Sequence, residues 1–240
     1  MRGLLRNHDA SIRRHRSYAG GVTKALTHHR PSYVIFDLGN VLVHIEPAAF
    51  LRSLSVDTSE NRGYYQSKII DIAKRYERGD ESTEEFFANL DVLFNGRDRM
   101  PLHSHGGKNH FSQHDFQNAM LSIIGEPIEG MEDLVRRVGS TTPVGLLSNT
   151  NPVHFEYCLR TLSVLQHIPS HFLSYQLKAF KPEPEIFARV IEQISLPPEK
   201  ILYIDDLDEN IVAARNAGLV GHRFVGVKNI EQLFSDLTLI

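Results

Sequence analysis

The sequence predicts an α/β fold: a doubly wound, parallel five-stranded Rossmann-like core with an inserted helical cap domain. Three observations carry this. Five short apolar runs, Tyr33–Phe36, Pro143–Leu147, Phe172–Tyr175, Ile201–Ile204 and Arg223–Val227, have the length of buried parallel strands. Helical patterns at Met131–Val138, Glu185–Ile194 and Glu209–Ala217 lie between the later runs. Alternating strand and helix implies a parallel sheet covered on both faces, with right-handed crossovers. The gap between the first two runs is too long for one crossover, so it holds an insertion.

The elements follow in chain order. Residues 1–30 carry Arg2, Arg6, Arg13, Arg14, Arg16, Lys24 and Arg30 against a single acid, Asp9, with thin apolar content. Such a stretch buries too little surface to offset its ordering entropy, so a disordered basic extension is expected. An Arg-rich, acid-poor leader is also the composition of a transit peptide, which makes organelle targeting the alternative to a cytoplasmic location. The core then spans residues 31–46 and 120–240, and the helical cap spans residues 47–119. Within the cap, Phe50, Leu51 and Leu54, then Ile69, Ile70, Ala73 and Tyr76, follow helical spacing. Ser82 and Glu85 have capping-box spacing and open another helix. The stretch 95–113 is polar and non-periodic, and His103, His105, His110 and His114 fall in or just beyond it. With no cysteine near and no matching spacing, these histidines are read as loop residues rather than a zinc site. Gly218 closes the last predicted helix.

The bulk numbers exclude several function classes. A chain of 240 residues suffices for one core with an insert. A net charge of −3 supplies no global field for nucleic acid or an acidic membrane surface. No apolar run approaches the roughly 20 residues of a membrane span. The single cysteine, Cys158, cannot form an internal disulfide, which suits a reducing compartment. The expected partner is a small molecule, with no nucleic acid and no membrane; oligomeric state is not readable.

Four segments carry the chemistry. The first strand delivers Asp37 to its C-terminal end, where ligands bind in open parallel sheets, and Gly39 follows in a turn. An Asp there is a nucleophile, a metal ligand, or merely a cap for the next element. The second strand ends in Ser148 and Asn149, a hydroxyl and an amide that suit phosphate oxygens but are also favoured caps. Lys181 lies between a strand and a helix, followed by Pro182; a loop lysine is usually just solvated. Asp205 and Asp206 are adjacent carboxylates at the end of a buried strand, mutually repulsive without a cation.

Together these segments place Asp, Ser/Asn, Lys and Asp-Asp, in that order, after separate strands of one sheet. The order resembles the four motifs of the haloacid dehalogenase-like hydrolase superfamily over residues 33–240, with the insert at that family's cap position. Asp37-Leu38-Gly39-Asn40-Val41, Leu147-Ser148-Asn149-Thr150-Asn151 and Tyr76-Glu77-Arg78-Gly79 resemble its small sugar-phosphate phosphatases, the group that includes α-glucose-1-phosphate phosphatase. The resemblance implies a Mg²⁺-dependent phosphatase with Asp37 as nucleophile. It implies Asp37, the Gly39 carbonyl and Asp206 as metal ligands, with Asp205 in the metal site mainly as an orienting group. It implies Ser148, the Asn149 backbone amide and Lys181 as the phosphate-holding groups. One position departs from the pattern: most phosphatases of this superfamily carry a general-acid Asp where this chain has Gly39. Asn40, His44 and a metal-bound water are the candidate replacements. The rival readings are a metal-free 2-haloacid dehalogenase and a catalytically weak binding protein.

Overall fold

The computed structural model describes residues 30–56, 62–96 and 110–240. The expectation for residues 1–29 and the loop residues His103 and His105 lie outside the described residues.

Five parallel strands form the sheet: β1 (Tyr33–Phe36), β4 (Val144–Ser148), β5 (Ser170–Leu173), β6 (Ile201–Asp205) and β7 (Val220–Arg223). Their order is β5-β4-β1-β6-β7, so β1 is central. Strands run out from β1 to β5 on one side and then return on the other. That reversal opens a crevice at the carboxyl ends of β1, β4 and β6. Alternation along each strand supplies both core faces. Val34 and Phe36 of β1, with Leu202 and Ile204 of β6, pack into one hydrophobic cluster. The helices α5 (Met131–Gly139), α6 (Pro152–Thr161) and α10 (Val227–Asp236) cover that face. Tyr33, Ile35, Ile201 and Tyr203 point the other way, under α8 (Pro184–Ile194) and α9 (Asp208–Asn216).

A separate cluster from Phe50 to Met120 forms between β1 and β4 in sequence. It is built from α1 (Ala49–Ser53), α2 (Arg62–Arg78), α3 (Thr83–Asn95) and α4 (Gln113–Leu121). Ser82 and Glu85 close the expected capping box on α3: the Glu85 N–H donates to Ser82 Oγ at 3.2 Å and the Ser82 N–H donates to Glu85 Oε2 at 2.8 Å. The insert is joined to the core through a two-stranded antiparallel flap, β2 (Val43–Ile45) with β3 (Ile124–Pro127).

Two strand expectations are corrected. The third core strand lies at Ser170–Leu173, not Phe172–Tyr175; Ser174–Leu177 is a short helix, α7. The Ser174 hydroxyl accepts from the Thr150 N–H at 3.0 Å, which ties the chain leaving the sheet to the loop after β4. The last strand lies at Val220–Arg223, not Arg223–Val227. Phe224 adds one further bond to the Asp205 carbonyl, Val225 is exposed, and Val227 already opens α10. In both cases the apolar run overlaps only the end of the strand and extends past it, because the start of the strand carries His and Ser or Gly.

Candidate active site

Asp37 follows β1, Ser148 and Asn149 end β4, and Asp205 and Asp206 end β6. Lys181 arrives on the loop between α7 and α8. The structure brings these residues together at one end of the sheet. The Lys181 ammonium is buried and donates to Asp37 Oδ1 at 2.7 Å, Asp205 Oδ2 at 2.9 Å and the Leu147 carbonyl at 3.2 Å. An ammonium has three protons, and all three are directed by this geometry.

Asn149 fixes the backbone of that lysine. Its Nδ2 donates to the Lys181 carbonyl at 2.9 Å, and the Lys181 N–H donates to its Oδ1 at 2.8 Å. The side-chain amide expected to face a phosphate oxygen is therefore engaged, leaving the backbone N–H of Asn149 as the group for that task. Ser148 is buried, and its hydroxyl reaches only the Asn149 carbonyl at 3.5 Å, too far for a good bond.

Asp205 is fully saturated. Its oxygens accept from Lys181, the Tyr203 hydroxyl, the Leu207 N–H at 2.8 Å and Asn210 Nδ2 at 3.0 Å to each oxygen. A carboxylate has about four lone-pair sites, and these donors occupy them. Its geometry makes it the anchor of Lys181. Asp206 is half-buried and forms no ion pair among the described residues.

Two buried carboxylates share one ammonium, and this decides the electrostatics. Burial pushes the Asp37 carboxyl up to about 7; Lys181 pulls it down and the Asp205 charge pushes it further up. Burial also opposes the charge of Asp205, but Lys181 and the Tyr203 hydroxyl outweigh it and hold that carboxyl below its usual range. Burial disfavours the Lys181 charge, yet the two carboxylates win and keep it an ammonium. Burial and then the Asp205 charge raise Asp206. One oxygen from each of Asp37, Asp205 and Asp206 lies within 4.8 Å of the others. An oxygen-only cluster short of positive charge fits a hard divalent cation such as Mg²⁺. In the turn after β1, the bonds from the Val43 N–H to the Leu38 carbonyl (3.1 Å) and from the Asn40 N–H to the Val43 carbonyl (2.7 Å) straddle Gly39 and do not use its carbonyl oxygen.

Position 39 offers no side chain to act as an acid, and its space is bordered by the tip of the exposed Ile45 side chain. A Cβ there would meet Ile45 Cδ1 at 2.9 Å. His44, one candidate replacement, is exposed on the flap. Asn40, another, uses its Oδ1 to accept from the Ile45 N–H at 3.2 Å.

Sequence reasoning missed how the insert meets this site. Arg78 at the end of α2 pairs with Glu183, two residues after Lys181, and Glu183 Oε2 also accepts from the Phe180 N–H at 3.3 Å. Next to it, the Glu77 carbonyl accepts from Ser174 Oγ at 2.6 Å. The Glu77 carboxyl is half-buried without a hydrogen-bond partner among the described residues, and burial pushes it up to about 7. A folded-state value above the unfolded one means stability is fully present below about pH 4.5 and is lost as pH rises through about 7. Glu77→Gln should therefore raise the melting temperature at pH 8 by a few degrees, since about 1 kcal/mol gives about 2–4 °C in a chain this size. Melting curves at pH 4 and pH 8 check this; a gain of equal size at both would show that the charge is not the cause.

A family model described as haloacid dehalogenase-like hydrolase matches residues 32–218. A D-ribitol-5-phosphate phosphatase of Bacteroides thetaiotaomicron is 27% identical over 197 residues, covering 77% of this chain and 87% of its own. A phosphorylated carbohydrates phosphatase of Thermotoga maritima is 25% identical over 198 residues, covering 81% of this chain and 84% of its own. In fold, a HAD family enzyme of Bacteroides thetaiotaomicron, solved with magnesium and inorganic phosphate, superposes with a TM-score of 0.70. It is 23% identical and covers 85% of this chain and 99% of its own. An L-2-haloacid dehalogenase of Xanthobacter autotrophicus has the same fold more distantly, with a TM-score of 0.57 at 14% identity over 88% of this chain and 84% of its own.

Proposed function

This chain belongs to the haloacid dehalogenase-like hydrolases, and we propose that it is a Mg²⁺-dependent phosphatase of a small phosphorylated carbohydrate. The observation that carries the reading is the Asp37 carboxylate, held by Lys181 at the end of β1 beside Asp206. The two phosphatases similar in sequence supply the substrate class.

In this reading the Asp37 carboxylate oxygen not bonded to Lys181 attacks phosphorus and forms an aspartyl-phosphate while the P–O bond to the sugar breaks and the sugar oxygen leaves, taking a proton from water, which splits one difficult displacement into two. Water then attacks phosphorus and releases phosphate, restoring the carboxylate. Asp37, Asp206 and the Gly39 carbonyl would hold Mg²⁺; when bound, it neutralises charge that otherwise keeps the phosphate from the nucleophile. Ser148 Oγ and the Asn149 N–H would hold equatorial oxygens, and Lys181 would stabilise the charge that develops on them. Asp205 keeps the lysine in place. With no carboxyl at position 39 to protonate the leaving group, this reading favours one that departs without full protonation, such as the anomeric oxygen of a sugar. Residues 47–119 would act as the cap, closing over the substrate and choosing it, with residues 31–46 and 120–240 as the core.

Phosphate release from a panel of pentose, hexose and pentitol phosphates tests the function. Release should require Mg²⁺ and stop on chelation. Among the site variants, Asp206→Asn should weaken Mg²⁺ binding about 10-fold or more, whereas Asp205→Asn should chiefly lower the melting temperature. Metal titration and melting curves of both variants check the assignment, and an inverted pattern would exchange the two roles. No helix among the described residues is long and apolar enough to cross a membrane.

A further inference from the structure

We propose that Arg78 is a positioning residue for the reaction: through Glu183 it holds the loop that carries Lys181. This rests on the phosphatase reading above, in which the Lys181 ammonium stabilises charge on the transferring phosphoryl group.

The Lys181 loop is gripped from two sides. On the core side, Asn149 makes two bonds to the Lys181 peptide, at 2.9 and 2.8 Å. On the other side, Glu183 folds back over residue 180. Its N–H donates to the Phe180 carbonyl at 2.7 Å, and its Oε2 accepts from the Phe180 N–H at 3.3 Å. That second bond is long, so by itself it orients the carboxylate weakly. Arg78 supplies the rest. Its Nη1 donates to the same Oε2 at 2.7 Å, and its Nη2 donates to Oε1. A planar guanidinium bound to both oxygens fixes the plane of a carboxylate, which a single donor cannot do.

Arg78 is itself placed by the docking of α2 on α7. Gly79 follows α2 with φ 76°, and a Cβ there would overlap the Tyr175 carbonyl oxygen. The Ser174 hydroxyl donates to the Glu77 carbonyl at 2.6 Å, and the Lys178 ammonium donates to the Gly79 carbonyl. The guanidinium therefore reaches Glu183 only from a docked insert, which ties the place of the insert to the place of the lysine. The two side chains of the pair are 37% and 35% exposed, so the pair adds little stability. Its effect is on geometry, and a reacting group misplaced by about 1 Å can cost on the order of 10²-fold in rate.

The test is amide hydrogen exchange at Phe180 and Lys181, read by NMR, together with steady-state phosphate release on the sugar phosphate panel. The proteins are the wild type, Arg78→Met, Arg78→Lys and Lys178→Ala. Arg78→Met keeps the stem of the side chain and loses every donor. Both amides should exchange about 5-fold faster or more in this variant. Its kcat should fall about 10-fold with KM within about 2-fold of the wild type, and its melting temperature should stay within about 4 °C. Arg78→Lys restores the charge but not the fork, so it should recover part of the exchange protection and part of kcat. Lys178→Ala removes a contact between the same two segments without touching Glu183 and should match the wild type in both. Wild-type exchange or wild-type kcat in Arg78→Met would overturn the inference. So would equal losses in Lys178→Ala, which would make the docking of α2, rather than the Glu183 carboxylate, the cause. Faster exchange in Arg78→Met beside a wild type that acts on no phosphate ester would overturn the phosphatase reading and leave the hold of Arg78 on the loop standing.

Discussion

Asp37→Asn should abolish turnover, by on the order of 10⁴–10⁶-fold, while the protein stays folded. The amide cannot attack phosphorus at a useful rate, and the site loses one of the charges that hold the cation. The fold should survive because Asn is nearly isosteric and its oxygen can still accept from the Lys181 ammonium, now at Asp37 Oδ1 and 2.7 Å. Stability should hold or rise, since burial already pushes this carboxyl up to about 7 and the substitution removes a charge that folding desolvates. Single-turnover assays with melting curves check both halves. Retention of more than a few per cent of activity with an unchanged melting curve would remove Asp37 as nucleophile.

Lys181→Ala should lose both activity and stability, and Lys178→Ala little of either. Lys181 is buried between Asp37 and Asp205, and without it two carboxylates face each other with no cation. Breaking a buried pair of this kind costs about 3–5 kcal/mol. In a chain of this size that is a fall of roughly 6–20 °C in melting temperature. Activity should fall by at least about 10²-fold with the loss of a fixed charge at the phosphate. Lys178 lies three residues earlier, exposed, and its ammonium reaches only the Gly79 carbonyl at the surface. Its removal should cost less than about 1 kcal/mol. Lys181→Met preserves the stem of the side chain, so its kinetics separate lost charge from lost packing. Wild-type kinetics in Lys181→Met would show that the ammonium has no part in the reaction.

The site was legible where chemistry and local pattern coincide. An apolar strand ending in a carboxylate is visible in one dimension, so Tyr33–Phe36 with Asp37, and Ile201–Ile204 with Asp205 and Asp206, could be read from the chain. Lys181, a loop lysine that by itself reads as solvated, could be read only through the resemblance of the motif order to the family. What escaped depends on contacts between distant segments. The flap pairs Val43–Ile45 with Ile124–Pro127, two runs too short to show a period, and the second contains Gly and Pro. The clamp of the Asn149 side chain on the Lys181 peptide spans 32 residues, and the Arg78–Glu183 pair spans 105. Asn40 looked like a proton source because it stands next to Gly39; only the fold shows its Oδ1 accepting from the Ile45 N–H of the flap.

The central claim is that Asp37 performs metal-assisted phosphoryl transfer. Its most direct test is phosphate release from D-ribitol 5-phosphate and related sugar phosphates, measured with Mg²⁺ and with excess chelator, in the wild type and in Asp37→Asn. Release should depend on Mg²⁺ and be absent from the variant. Undiminished release under chelation, or halide release from 2-haloacids with no action on any phosphate ester, would contradict it.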